Sequence, residues 1–260
     1  MALLFAIISM VAKPAMAAPW VKAETAHFII YSDARASEAR AYARILEDYD
    51  AALRTFHRPA DETAKPKFRL YLVSSAADFR RVFPEARAGI EGMYSAGSGD
   101  DFAVAVRNRR GWLLPLTGDH TVLHEYAHHF MHQHLQGTYP PWYAEGYAEY
   151  FAPTILGRTV IVGAIDAGRA YELAHEPWIP VSELLARAPS EISGKRLSAY
   201  YGQAWLLTHY IMDDPARCEA LGRYLAATRD GTDPADAWQA AFGQTPQALE
   251  RTLRAYLAAD

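Results

Sequence analysis

A single cysteine, Cys218, excludes any internal disulfide and any thiolate metal site of the zinc-finger kind. A metal, if the chain binds one, must be held by histidine and carboxylate. Neither charge sign is in excess: 26 Lys and Arg face 30 Asp and Glu, a net charge of -4, with no long block of either. This gives no footing for nucleic acid or for an anionic membrane surface. Repeats, low-complexity tracts and obvious linkers are absent. What is present is 260 residues, 51% of them hydrophobic, enough to build one full-sized domain.

The N-terminus reads as an export signal. An apolar run from Ala2 to Ala12, broken only by Ser9, is too short to span a bilayer comfortably. It leads through Lys13-Pro14 into Ala15-Met16-Ala17, an A-x-A cleavage pattern. The n-region carries no Lys or Arg. The expectation is a signal peptide over 1–17, a mature chain from Ala18, and a periplasmic or secreted protein without a membrane span. Residues 18–260 read as one domain, mixed α/β to about 165 and helical beyond.

Periodicity and punctuation give the elements. His27 to Tyr31 and Lys67 to Val73 read as strands. Between them Ala41, Ile45, Leu46, Tyr49, Leu53 and Phe56 recur at helical spacing over 34–56. Ser74 and Ser75 can cap a short helix that Pro84 stops. Met93 to Ser95 and Phe102 to Val106 read as a glycine-linked hairpin. A helix from Thr117 or Asp119 to about Gln136 ends at Gly137, and Pro140-Pro141 opens the next. Thr159 to Val162 looks β-like. Helices follow over about 182–186, 198–212, 215–228, 234–242 and 246–257. Strands first and helices later make the class α+β.

The helix ending at Gly137 carries His124-Glu125-Tyr-Ala-His128, the pattern H-E-x-x-H. Residues four apart share a helix face. Two imidazoles therefore stand side by side, as zinc needs, and Glu125 is placed to take a proton from water there. Two ligands do not complete a site, and two candidates compete for the third. His134 lies ten residues after His124, the spacing of the metzincin pattern, but Met131 stands where that pattern needs a turning glycine. His129 and His132 read as residues of a solvated helix face. Glu145 lies 17 residues after His128, on the next helix.

Trp142-Tyr-Ala-Glu-Gly-Tyr-Ala-Glu-Tyr-Phe151 resembles the W-x-x-E-G-x-A-x-Y/F signature of the gluzincins, the thermolysin-like and aminopeptidase-like zinc peptidases. The pair of motifs is similar to that of the peptidase-MA-like bacterial domains, over about residues 90–212. The resemblance implies a thermolysin-like fold with Glu145 as third zinc ligand and Glu149 supporting a ligand histidine. Ser198 to Ile211 is similar to an aminopeptidase-like segment whose tyrosine binds the oxyanion. It implies Tyr201 in that role, with Tyr200 one place off, Gln203 where the family has Lys and Ala204 where it has Gly. Phe102 to Val106 is then the expected edge strand beside a peptide substrate. The aminopeptidase sequence that grips a free N-terminus is absent.

The expected function is zinc-dependent hydrolysis of peptide bonds. The alternatives are a non-catalytic peptide- or cell-wall-binding module and a zinc hydrolase of non-peptide amides.

Overall fold

The computed structural model describes residues 20–59, 65–86, 90–96, 101–107, 120–135 and 137–258. The expected signal segment and the expected caps Thr117 and Asp119 lie outside them. Five strands form one sheet: β1 Val21–Glu24, β2 Phe28–Ser32, β3 Phe68–Val73, β4 Gly92–Ser95 and β5 Phe102–Val106. Their spatial order is β1-β2-β3-β5-β4. β2, β3 and β5 run parallel, and β1 and β4 are antiparallel at the two edges. The expected hairpin of β4 and β5 is present, but the roles within it change. β5 is an inner strand between β3 and β4, so Phe102–Val106 is not the edge; β4 is.

Alternation decides which sheet face is buried. Phe28, Ile30, Phe68, Leu70, Leu72, Ala103 and Ala105 all point inward. Against them pack α1 Ala36–His57 and α3 His120–His134. Each large side chain taken fully out of water here, such as Leu46, Leu53 or Leu70, contributes about 1.5–3 kcal/mol. The buried stripe of α1 is Tyr42, Leu46, Tyr49 and Leu53. Phe56, expected in it, is 48% exposed, because the helix ends one residue later at His57 and Arg58 turns into the left-handed region. α2 Ala76–Val82 covers part of the other sheet face and is capped by Ser75, which accepts from the Asp78 N–H.

The rest of the described chain is helical: α4 Pro141–Phe151, α5 Ala167–His175, α6 Val181–Ala186, α7 Lys195–Met212, α8 Pro215–Arg229, α9 Pro234–Phe242 and α10 Pro246–Leu257. α8, α9 and α10 each begin with proline after a capping Asp214, Asp233 or Thr245. Thr159–Val162 forms no strand. That segment pairs at a single point, an isolated bridge between Ile155 and Ile161, which is too short to make a ladder.

One glycine sets the position of α4. A Cβ on Gly146 would run into the Thr208 hydroxyl and the Ala204 carbonyl of α7. Without it α4 and α7 lie close enough to bring Glu145 and Tyr201 to one place. No helix among the described residues is long and apolar enough to cross a membrane.

Candidate metal centre

His124 and His128 sit one turn apart on α3, and their Nε2 atoms are 3.1 Å apart. α4 brings Glu145 over them. Its Oε2 lies 3.4 Å from His124 Nε2 and 3.3 Å from His128 Nε2. A tetrahedral zinc with ligands near 2.0–2.1 Å separates its ligand atoms by about 3.3 Å. The three distances fit that edge. Glu145 Oε2 is buried and faces the two imidazole nitrogens. These three side chains could hold a metal ion, and among the described residues no other His, Cys, Asp and Glu group gathers so tightly.

The charges in this corner interact strongly. Burial disfavours the Glu145 carboxylate, but His128 and His124 hold its pKa well below the usual carboxylate range. Burial would lower His124, but hydrogen bonding to Glu145 and the charges of Glu149 and Glu125 raise it to about 9. A metal ion bound there would take the place of that proton.

Glu125 projects from the same turn of α3 and is 6% exposed. Burial raises its pKa, which His124 and His128 partly offset. It is not one of the three converging residues. Its carboxylate lies against the start of β4, close to Gly92.

Glu149 lies one turn after Glu145. Its Oε1 is 3.4 Å from His124 Nδ1, on the far side of the ring from Glu145. A carboxylate there fixes the tautomer that leaves Nε2 free for a metal. Glu149 is only 2% exposed, and Arg169 of α5 grips it with Nε at 2.8 Å and Nη2 at 2.6 Å. Arg169 lowers the Glu149 pKa against the opposing pull of burial. The third guanidinium nitrogen reaches Glu172 at 2.8 Å, and Glu172 accepts from Ser198 at 2.9 Å. His120, one turn before His124, stands 3.4 Å from Asp166 and 3.6 Å from Glu149. Sequence reasoning missed both residues. His120 was within reach of the i, i+4 rule. Arg169 was not, since no spacing links it to Glu149.

Tyr201 lines a cavity of about 330 Å³ with His124, Gly92, Glu125, Arg169 and Ser198. Its ring centre is 6.4 Å from that of His124. Burial, then the nearby Glu145, raise its pKa, so the phenol keeps its proton. Tyr200 points elsewhere: its hydroxyl donates to the Arg187 carbonyl at 2.9 Å. Gln203 does not reach the site either. Its side chain bonds both main-chain groups of Ile179.

The other histidines of α3 lie elsewhere. His134 Nε2 is 3.3 Å from Arg54, and its ring packs on Phe130. His132 is half exposed and 3.4 Å from Asp101. His129, expected on a solvated face, is instead buried. Its ring lies 4.3 Å from that of Phe68, because the sheet packs over that side of α3.

No protein-family model matches the chain, and no curated protein matches it in sequence.

Proposed function

We propose that the chain is an exported, zinc-dependent peptidase of the gluzincin type. The observation that carries this reading is the convergence of His124 Nε2, His128 Nε2 and Glu145 Oε2 at tetrahedral spacing beside a buried, non-converging Glu125. Three ligands and an adjacent carboxylate are the parts of a hydrolytic centre, whereas a structural zinc site has four ligands. The motif pair on α3 and α4 points the same way.

A zinc ion held there supplies a Lewis acid that polarises a carbonyl and makes water more acidic. Glu125 takes the proton of the attacking water and returns it to the leaving nitrogen. Burial raises its pKa, which favours its holding the proton between the two transfers. Tyr201 donates its O–H to the carbonyl oxygen as that atom gains negative charge. Glu149 and Arg169 keep His124 turned with Nε2 forward. The substrate peptide enters the cavity that Gly92 of the edge strand β4 borders opposite Tyr201.

The test combines metal analysis of the purified mature chain with a mixed-peptide cleavage screen, run with and without chelator. The expected result is about one zinc per chain and peptide cleavage that chelator abolishes. Cleavage unaffected by chelator and by Glu125→Gln would overturn the reading. A zinc-loaded chain that cleaves non-peptide amides but no peptide would replace the substrate class.

A further inference from the structure

The β4–β5 hairpin meets α3 at two points. At the first, a Cβ on Gly92 would stand 2.6 Å from Thr121 Cγ2 and would run into Glu125 Oε1. The edge strand therefore approaches the glutamate as closely as only a glycine backbone allows. At the second, the main-chain N–H of Tyr94 turns toward the Glu125 carboxylate and favours its charged form.

The strand pairing explains why these two residues face α3. The Val106 N–H donates to the Glu91 carbonyl at 2.7 Å. In an antiparallel pair alternate residues turn their main-chain groups toward and away from the partner strand. Glu91 and Met93 face β5, so Gly92 and Tyr94 face away from it.

The hairpin is tied down from behind as well. The Tyr94 hydroxyl donates to Asp101 Oδ2 at 2.9 Å, and the Gln133 side-chain amide of α3 donates to the same oxygen at 2.6 Å. His132 and His129 bring Nδ1 to 3.4 and 3.5 Å of it. Asp101 thus joins the inner strand, the edge strand and the metal helix at one carboxylate.

We infer that Gly92 and Tyr94 are positioning residues for Glu125, the open edge of β4 pressing against its carboxylate and being held there by the Tyr94–Asp101–Gln133 latch. This rests on the reading of Glu125 as the base. A long glutamate side chain has several rotamers, and proton transfer needs one of them. The main chain of a paired strand is a stiffer partner than another flexible side chain. The latch contains none of His124, His128 and Glu145, so the strand can be loosened without replacing a ligand.

Amide hydrogen exchange on the 15N-labelled full chain tests the contact without any need for turnover. The Tyr94 amide should exchange about tenfold or more faster in Glu125→Ala, as loss of one hydrogen bond implies, while the Val106 amide stays unchanged. Equal protection of the Tyr94 amide in both proteins would overturn the inference.

Kinetics give the second arm. Gly92→Ala should keep zinc and lower kcat roughly 100-fold, the scale of a misplaced group, with KM little changed. Should Gly92→Ala fail to fold, Tyr94→Phe carries the test. It frees the latch and should lower kcat with zinc content and KM retained, a split that simple loss of stability does not produce. Full kcat in both variants would overturn the positioning role. A chain that cleaves no peptide yet couples the Tyr94 amide to Glu125 supports the contact and overturns the peptidase reading instead.

Discussion

Two faces of α3 carry histidines, and they treat the same side chain in opposite ways. On the metal face, His124 is surrounded by Glu145, Glu149 and Glu125, and its pKa rises to about 9. Five residues on, His129 lies against Phe68, Tyr94 and Tyr126, and burial pushes its pKa well below the ordinary value. Asp101 stands 3.5 Å away, yet it also takes hydrogen bonds from Tyr94 and Gln133. The difference is one of neighbours. Carboxylates from α4 make one face able to hold a cation, and aromatic rings from the sheet make the other a core.

The sharpest way to break the comparison is to remove the proton acceptor on the metal face. Glu125→Gln should keep zinc and lower the rate of peptide cleavage by about 10²–10⁴-fold, the usual range for general acid–base catalysis. Paired metal analysis and steady-state kinetics check it. Next comes the support behind His124. Arg169→Met leaves the buried Glu149 without its main partner. It should weaken zinc binding by about 10–100-fold, read by chelator competition. It should also cost about 3–5 kcal/mol of stability, read by urea unfolding.

Smaller effects follow from pH. Because metal must displace a proton held at His124 up to about pH 9, zinc affinity should fall about tenfold for each pH unit below that value. Chelator competition at several pH values checks the slope. On the core side the sign reverses. His57, bonded to the Tyr147 hydroxyl at 2.8 Å, has its pKa lowered to about 4 by burial. The unfolded chain binds the proton more tightly, near pH 6.5. Stability is therefore full above about 6.5 and is lost as pH falls toward 4, with His129 adding in the same direction. Unfolding midpoints of the metal-free protein at pH 7 and pH 5 measure this.

The metal corner was legible in the sequence because it depends on spacing. His124, Glu125 and His128 follow from one helical repeat, and Glu145 from the resemblance of its stretch to a known signature; the structure brings His124, His128 and Glu145 together. The caps and prolines of α8, α9 and α10 were legible for the same local reason. What escaped depends on partners distant in the chain. Arg169 reaches Glu149 through tertiary packing of α5, which no local pattern announces. The strand order hid the edge, because β3 pairs with β5 and leaves β4 outside. His129 escaped because α3 is wedged between the sheet and other helices, so its hydrophobic stripe no longer marks the only buried side.

The central claim is that the metal is held by His124, His128 and Glu145, not by the histidine-rich end of α3. Zinc stoichiometry of Glu145→Ala and His134→Ala, measured side by side on dialysed protein, tests it directly. The account predicts that His134→Ala keeps about one zinc per chain while Glu145→Ala loses tight binding. Zinc retained in Glu145→Ala and lost in His134→Ala would contradict it.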